Sequence, residues 1–73
     1  MKQLREWRLD RLLSVRELAK RSGVTAKTIV DLEYGRRTPH YETMRQLCAV
    51  LGVAPGEVAE FAAALEERGK DAA

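Results

Sequence analysis

The stretch Ser14–Tyr34, SVRELAKRSGVTAKTIVDLEY, confines this chain to a narrow set of folds. It reads as two short helices joined by a tight turn. Ala19 is small where two helix backbones must come close. Gly23 follows four residues later, where the chain must reverse, and glycine adopts a left-handed backbone at no steric cost. Ile29 lies six residues beyond Gly23, an apolar anchor on the inner face of the second helix. A small contact residue, a turn that tolerates positive φ and an anchor, in that order, are what two helices crossing at a short turn require.

The residues around the turn support the same boundaries. Ser14 and Glu17 form a capping box, in which the hydroxyl and the carboxylate each satisfy a free backbone N–H. Val15, Leu18 and Ala19 make the inner face of that helix, and Gly23 ends it as a left-handed cap. Val24 plugs the turn. Thr25 caps the next helix, with Ile29 and Leu32 pointing inward and Glu33 beside them. Gly35 closes that helix, and Arg36-Arg37-Thr38-Pro39 follows as an exposed basic loop.

Turn residues recur along the whole chain, and no run alternates with period two, so the expected class is all-α. A first helix is expected over Lys2–Arg11, with Leu4, Trp7 and Arg11 on one face and Arg8 beside them. Leu12-Leu13 closes it and drops Leu13 into the core. A fourth helix over Tyr41–Leu51 buries Met44, Leu47, Cys48 and Leu51 at helical spacing, and Gly52 terminates it. Pro55 marks the first turn of a fifth helix, with Val58, Phe61, Ala62 and Leu65 on one stripe. The reading is one domain over residues 1–67, with a frayed tail over 68–73.

Composition narrows the function classes. At 73 residues the chain holds one small core. Its single cysteine, Cys48, permits no internal disulfide and no multi-thiol metal site, which fits a reducing cytoplasm. The charged N-terminus, MKQLREWRLDR, is no secretory signal, and no apolar run approaches the roughly 20 residues of a membrane span. Net charge is only +2, but residues 1–47 hold 11 Lys+Arg against 6 Asp+Glu, while residues 48–73 hold 2 against 5. The positive excess therefore accompanies the two-helix unit and would turn it towards phosphates. His40 and Cys48 lack partners for catalysis or metal binding, and no glycine-rich phosphate loop is present. An enzyme, a cofactor and a metal site are not expected.

The chain resembles the Cro/C1-type helix-turn-helix family, also called the xenobiotic-response-element family. The resemblance rests on Leu4 and Arg8, on Ser14-Val15-Arg16-Glu17-Leu18-Ala19, on Gly23-Val24-Thr25 and on Ile29-Val30-Asp31-Leu32-Glu33-Tyr34-Gly35-Arg36-Arg37-Thr38-Pro39. Thr43, Leu47 and Leu51-Gly52-Val53 continue it, so that it covers residues 3–61. It implies a five-helix, lambda-repressor-like domain whose third helix enters the major groove of double-stranded DNA. Two positions depart from the family: Val15, where glutamine is frequent, and Leu12, where many relatives have glycine. Val15 cannot clamp a phosphate, so that contact falls to backbone N–H groups and Arg16. Leu12 implies a differently shaped first turn or a longer first helix.

The resemblance also assigns roles. Arg8 of the first helix is expected to pair with Glu33, tying the first helix to the third; the alternative leaves both in solvent. Ala26, Lys27, Val30 and Asp31 are expected at base edges. Lys27 can donate to guanine O6 and N7 or contact a phosphate. Ala26 and Val30 can pack on a thymine methyl, and Ala26 is equally a good helix former. Asp31 can accept from a cytosine amino group or hold Lys27, its i,i+4 neighbour. Arg16, Thr25, Thr28, Arg36 and Arg37 are expected near phosphates. Tyr34 can bond a phosphate or pack on the fourth helix.

One domain of this size touches few base pairs, so a homodimer on two half-sites is expected. Ala62, Ala63 and Ala64 would give the fifth helix a smooth surface for the second copy, and Trp7 and Leu9 are further candidates for an exposed apolar contact. The expected function is a DNA-binding transcriptional regulator that represses by occupying an operator. The alternatives are the antitoxin of a toxin–antitoxin pair and a protein-interaction adaptor that keeps the fold without DNA.

Overall fold

The computed structural model describes the backbone of residues 1–72 and the side chains of residues 1–69. Five α-helices follow in order: α1 (Leu4–Asp10), α2 (Val15–Ser22), α3 (Ala26–Glu33), α4 (Tyr41–Leu51) and α5 (Ala59–Ala72). A 3-10 turn, Pro55–Glu57, lies between α4 and α5. The described residues form no named strand, so the class is all-α, as the periodicity implies.

The core gathers residues from all five helices, four of them from α4. Leu4, Leu13, Leu18, Val24, Ile29, Leu32, Met44, Leu47, Cys48, Leu51, Val58, Phe61 and Ala64 form one buried cluster. Val15, Ala19 and Trp7 pack against its edge. Burying such side chains contributes about 1.5–3 kcal/mol for each large one, which is the main force holding a chain with no cross-link.

The helix boundaries follow local chemistry. Ser14 Oγ accepts from the Glu17 amide at 3.1 Å, and Glu17 Oε1 accepts from the Ser14 amide at 3.2 Å. The same reach recurs twice: Glu6 accepts from the Gln3 amide at 2.9 Å, and Glu57 from the Ala54 amide at 2.7 Å. Gly23 ends α2 at φ 80°, a conformation that disfavours any residue with a Cβ.

Four expectations need correction. The first helix is shorter than Lys2–Arg11, because Lys2 instead pairs with Val58 in an isolated parallel bridge. Its carbonyl accepts from the Ala59 amide at 2.8 Å, and Glu60 Oε1 accepts from the Leu4 amide at 2.8 Å. Second, Pro55 opens the 3-10 turn and not the fifth helix. Val58 is extended, so α5 begins at Ala59. Third, the new register buries Val58, Phe61 and Ala64 and leaves Ala62 and Leu65 half-buried. The three alanines therefore form no common surface; of them only Ala63 is exposed. Trp7 is not a free apolar patch either. It is half-buried, its Nε1 donates to the Glu57 carbonyl at 2.9 Å, and the cations of Lys2 and Arg11 lie over its ring.

At the other end, α5 continues as helix to Ala72. Arg68 Nη2 donates to the Pro39 carbonyl at 2.7 Å, and its guanidinium lies over the Tyr41 ring. Of the tail 68–73, Ala73 and the side chains of residues 70–72 lie outside the described residues.

Candidate nucleic-acid interface

The site is the outer face of α3 with the loop that follows it. Two sequence features place that face. Gly23 turns α2 sharply into α3, and Thr25 caps α3 by accepting from the Thr28 amide at 3.3 Å. Ile29 and Leu32 are buried, at 0% and 1% exposure, which fixes the rotation of the helix. Rotation set from inside determines which residues point out: Lys27 and Thr25 are exposed, and Ala26, Thr28, Val30 and Asp31 are half-buried.

Arg8 and Glu33 tie α1 to the end of α3. Arg8 Nε donates to Glu33 Oε2 at 2.7 Å, and Nη2 donates to Oε1 at 3.1 Å. Arg8 Nη1 donates to the Leu13 carbonyl at 3.0 Å. The two side chains are 9% and 5% exposed. Hydrogen bonding to Glu33, opposed by burial, holds the Arg8 guanidinium above its ordinary range, so it stays charged. Buried charge is tolerable only when paired and bonded in this way.

Asp31 lies between two cations. Its carboxylate is 3.8 Å from Lys27 Nζ and 3.7 Å from Arg36 Nη1. Arg36 returns to α3 because Gly35, at φ 72°, reverses the chain. The Arg36 amide donates to the Asp31 carbonyl at 2.8 Å, and its guanidinium lies over Tyr34. Tyr34 is 70% exposed, so its ring does not seat on α4. Arg37 Nη1 donates to Thr28 Oγ1 at 3.0 Å, and Thr25 Oγ1 donates to the same oxygen at 2.9 Å.

The structure thus brings Thr25, Thr28 and Arg37 together at the start of α3, and Lys27, Asp31 and Arg36 along its flank. Arg16 stands apart from both groups, exposed in the first turn of α2. Sequence reasoning missed the Arg36–Asp31 and Arg37–Thr28 contacts. Their only sequence signal is Gly35, whose left-handed turn sends the two arginines back along the helix. Among the described residues, no three His, Cys, Asp or Glu side chains form a metal-holding cluster, and no helix is long and apolar enough to cross a membrane.

Two short helices at a glycine turn, with the second presenting an open polar face, define a helix-turn-helix unit. A family model described as a helix-turn-helix domain matches residues 2–61, and the chain belongs to that family. It is also similar to an uncharacterized HTH-type transcriptional regulator, RghRB, of Bacillus subtilis (strain 168). The two are 48% identical over 52 residues, which is 70% of this chain and 37% of the relative. The chain therefore spans little more than a third of that relative's length. No solved structure matches the chain significantly.

Proposed function

We propose that this domain is a sequence-specific DNA-binding transcriptional regulator of the Cro/C1 type, acting as a repressor by occupying an operator. The observation that carries the reading is the open outer face of α3, with Lys27 83% exposed and Arg36 and Arg37 folded back beside it. A helix of this width enters the major groove, where each base pair displays a distinct pattern of donors and acceptors.

In that pose Ala26, Lys27 and Val30 meet base edges, with Asp31 on the same face. Lys27 donates to guanine, and Val30 packs on a thymine methyl. Thr25, Thr28 and Arg37 contact one stretch of phosphates, and Arg36, Tyr34 and Arg16 extend the backbone contact. Val15 is half-buried against the core, which agrees with a clamp at the start of α2 made by backbone N–H groups and not by its side chain.

Two copies would read two half-sites about 34 Å apart. Selection of bound duplexes from a random pool tests the proposal. Enrichment of a short, two-fold symmetric sequence supports it. Failure to enrich any sequence at low salt contradicts it and favours a protein-interaction role for the same fold.

A further inference from the structure

We infer that Asp31 restrains sequence-independent DNA affinity by occupying Lys27 and Arg36, so that binding depends more on base contacts. The inference rests on the DNA-binding reading above. Asp31 lies on α3 beside exposed Lys27, its side chain is only 16% exposed, and two cations lie within 4 Å of its carboxylate. Those cations are themselves open, at 83% and 65% exposure, so they are placed to meet a polyanion. Arg36 is held three ways: by the Asp31 carboxylate, by the Asp31 carbonyl through its own amide, and by the Tyr34 ring. Arg37, one residue on, pairs with no carboxylate among the described residues and donates to Thr28 instead.

A phosphate approaching this flank therefore meets two positive charges and one negative charge. The carboxylate both repels it and competes for its partners. The separations of 3.7 and 3.8 Å are ion-pair contacts without tight hydrogen bonds, so either cation can leave. Leaving for a base edge gains specific contacts, whereas leaving for a phosphate gains only what any duplex offers. A carboxylate at this position thus penalises the second exchange relative to the first, which makes Asp31 a specificity-determining residue.

The test compares wild type with Asp31→Asn, which keeps size and removes charge, on a random-sequence duplex and on a selected one across a salt series. Affinity of Asp31→Asn for the random duplex is expected to rise about fivefold near 0.1 M salt, and the log–log salt slope to steepen by about 0.9 per phosphate gained. Discrimination between the two duplexes falls. In an Arg36→Gln background the gain shrinks. Unchanged or weaker binding of the random duplex by Asp31→Asn overturns the inference, as does a loss confined to one cytosine of the selected site, which would make Asp31 a base contact. If wild type binds neither duplex at low salt, the DNA-binding reading itself fails, and the inference with it.

Discussion

Arg8 and Glu33 meet through two nearly parallel hydrogen bonds, at 2.7 and 3.1 Å, and join α1 to the C-terminal end of α3. With both side chains under 10% exposed, little water can replace either partner. Glu33→Gln leaves the guanidinium buried without its counter-charge and is expected to cost roughly 3–5 kcal/mol. Thermal melting reads this directly, since each kcal/mol moves the midpoint of a domain this small by about 4–8 °C. An unaltered midpoint would contradict a buried pair. An Arg8→Met, Glu33→Leu double variant is expected to recover most of the loss, because it removes both charges together.

Leu12 has φ 57° and is 89% exposed. It therefore occupies a left-handed position without packing on anything, where glycine is common in the family that this chain resembles. A non-glycine residue there costs on the order of 1–3 kcal/mol, partly offset by the greater freedom of glycine in the unfolded chain. Leu12→Gly is expected to stabilise the fold by a net of about 0.5–1 kcal/mol, read as a higher melting midpoint. A lower midpoint would mean that the leucine side chain contributes to the fold.

The start of α2 carries a pH dependence. The Ser14 backbone N–H, and then its hydroxyl, hold the Glu17 carboxyl below its ordinary value. A lowered value in the folded state means that the unfolded chain takes up the proton first. The contribution is complete above about pH 4.3, the ordinary glutamate value, and is lost as pH falls through the lowered one. Asp10, held low by Lys2 and Arg11, acts in the same direction. Melting at pH 6 and at pH 3 is expected to show a smaller difference for Glu17→Gln than for wild type. Ser14→Ala is expected to cost about 1 kcal/mol at pH 6.

Cys48 is 6% exposed within the core, and burial, with a smaller contribution from Glu57, pushes its thiol above the ordinary range. The thiolate is the reactive species. Native protein at pH 8 is therefore expected to alkylate far more slowly than protein in denaturant, measured by mass spectrometry over time. Equal rates would show that the α4 face opens readily.

What was legible in the sequence is what local chemistry decides. The Ser14–Glu17 box, the Thr25 cap, the Gly23 turn and the α4 stripe each depend on residues within one or two turns. All of α2, α3 and α4 follow from them. The misses come from contacts between distant segments. Lys2 pairs with Val58 across 56 residues, and that pairing shortens α1 and sets where α5 starts. Pro55 suits a 3-10 turn as well as an α-helix, so its presence could not choose between them. The resulting shift in register turned Ala64 inward and dissolved the expected alanine surface. On α3, the i,i+4 spacing made the Lys27–Asp31 contact visible. The Arg36–Asp31 contact lies beyond a helix end and needed the fold.

In the proposed complex, α3 reads base edges with Lys27 while Arg37, beside Thr28, contacts only the backbone. The most direct measurement is the affinity of Lys27→Ala and Arg37→Ala for a selected duplex and for its single-base-pair variants. Lys27→Ala is expected to relax preference at one base pair by about 1–3 kcal/mol, and Arg37→Ala to weaken every duplex alike and flatten the salt slope by about 0.9. Uniform weakening by Lys27→Ala, with every base preference intact, would show that Lys27 reads no base.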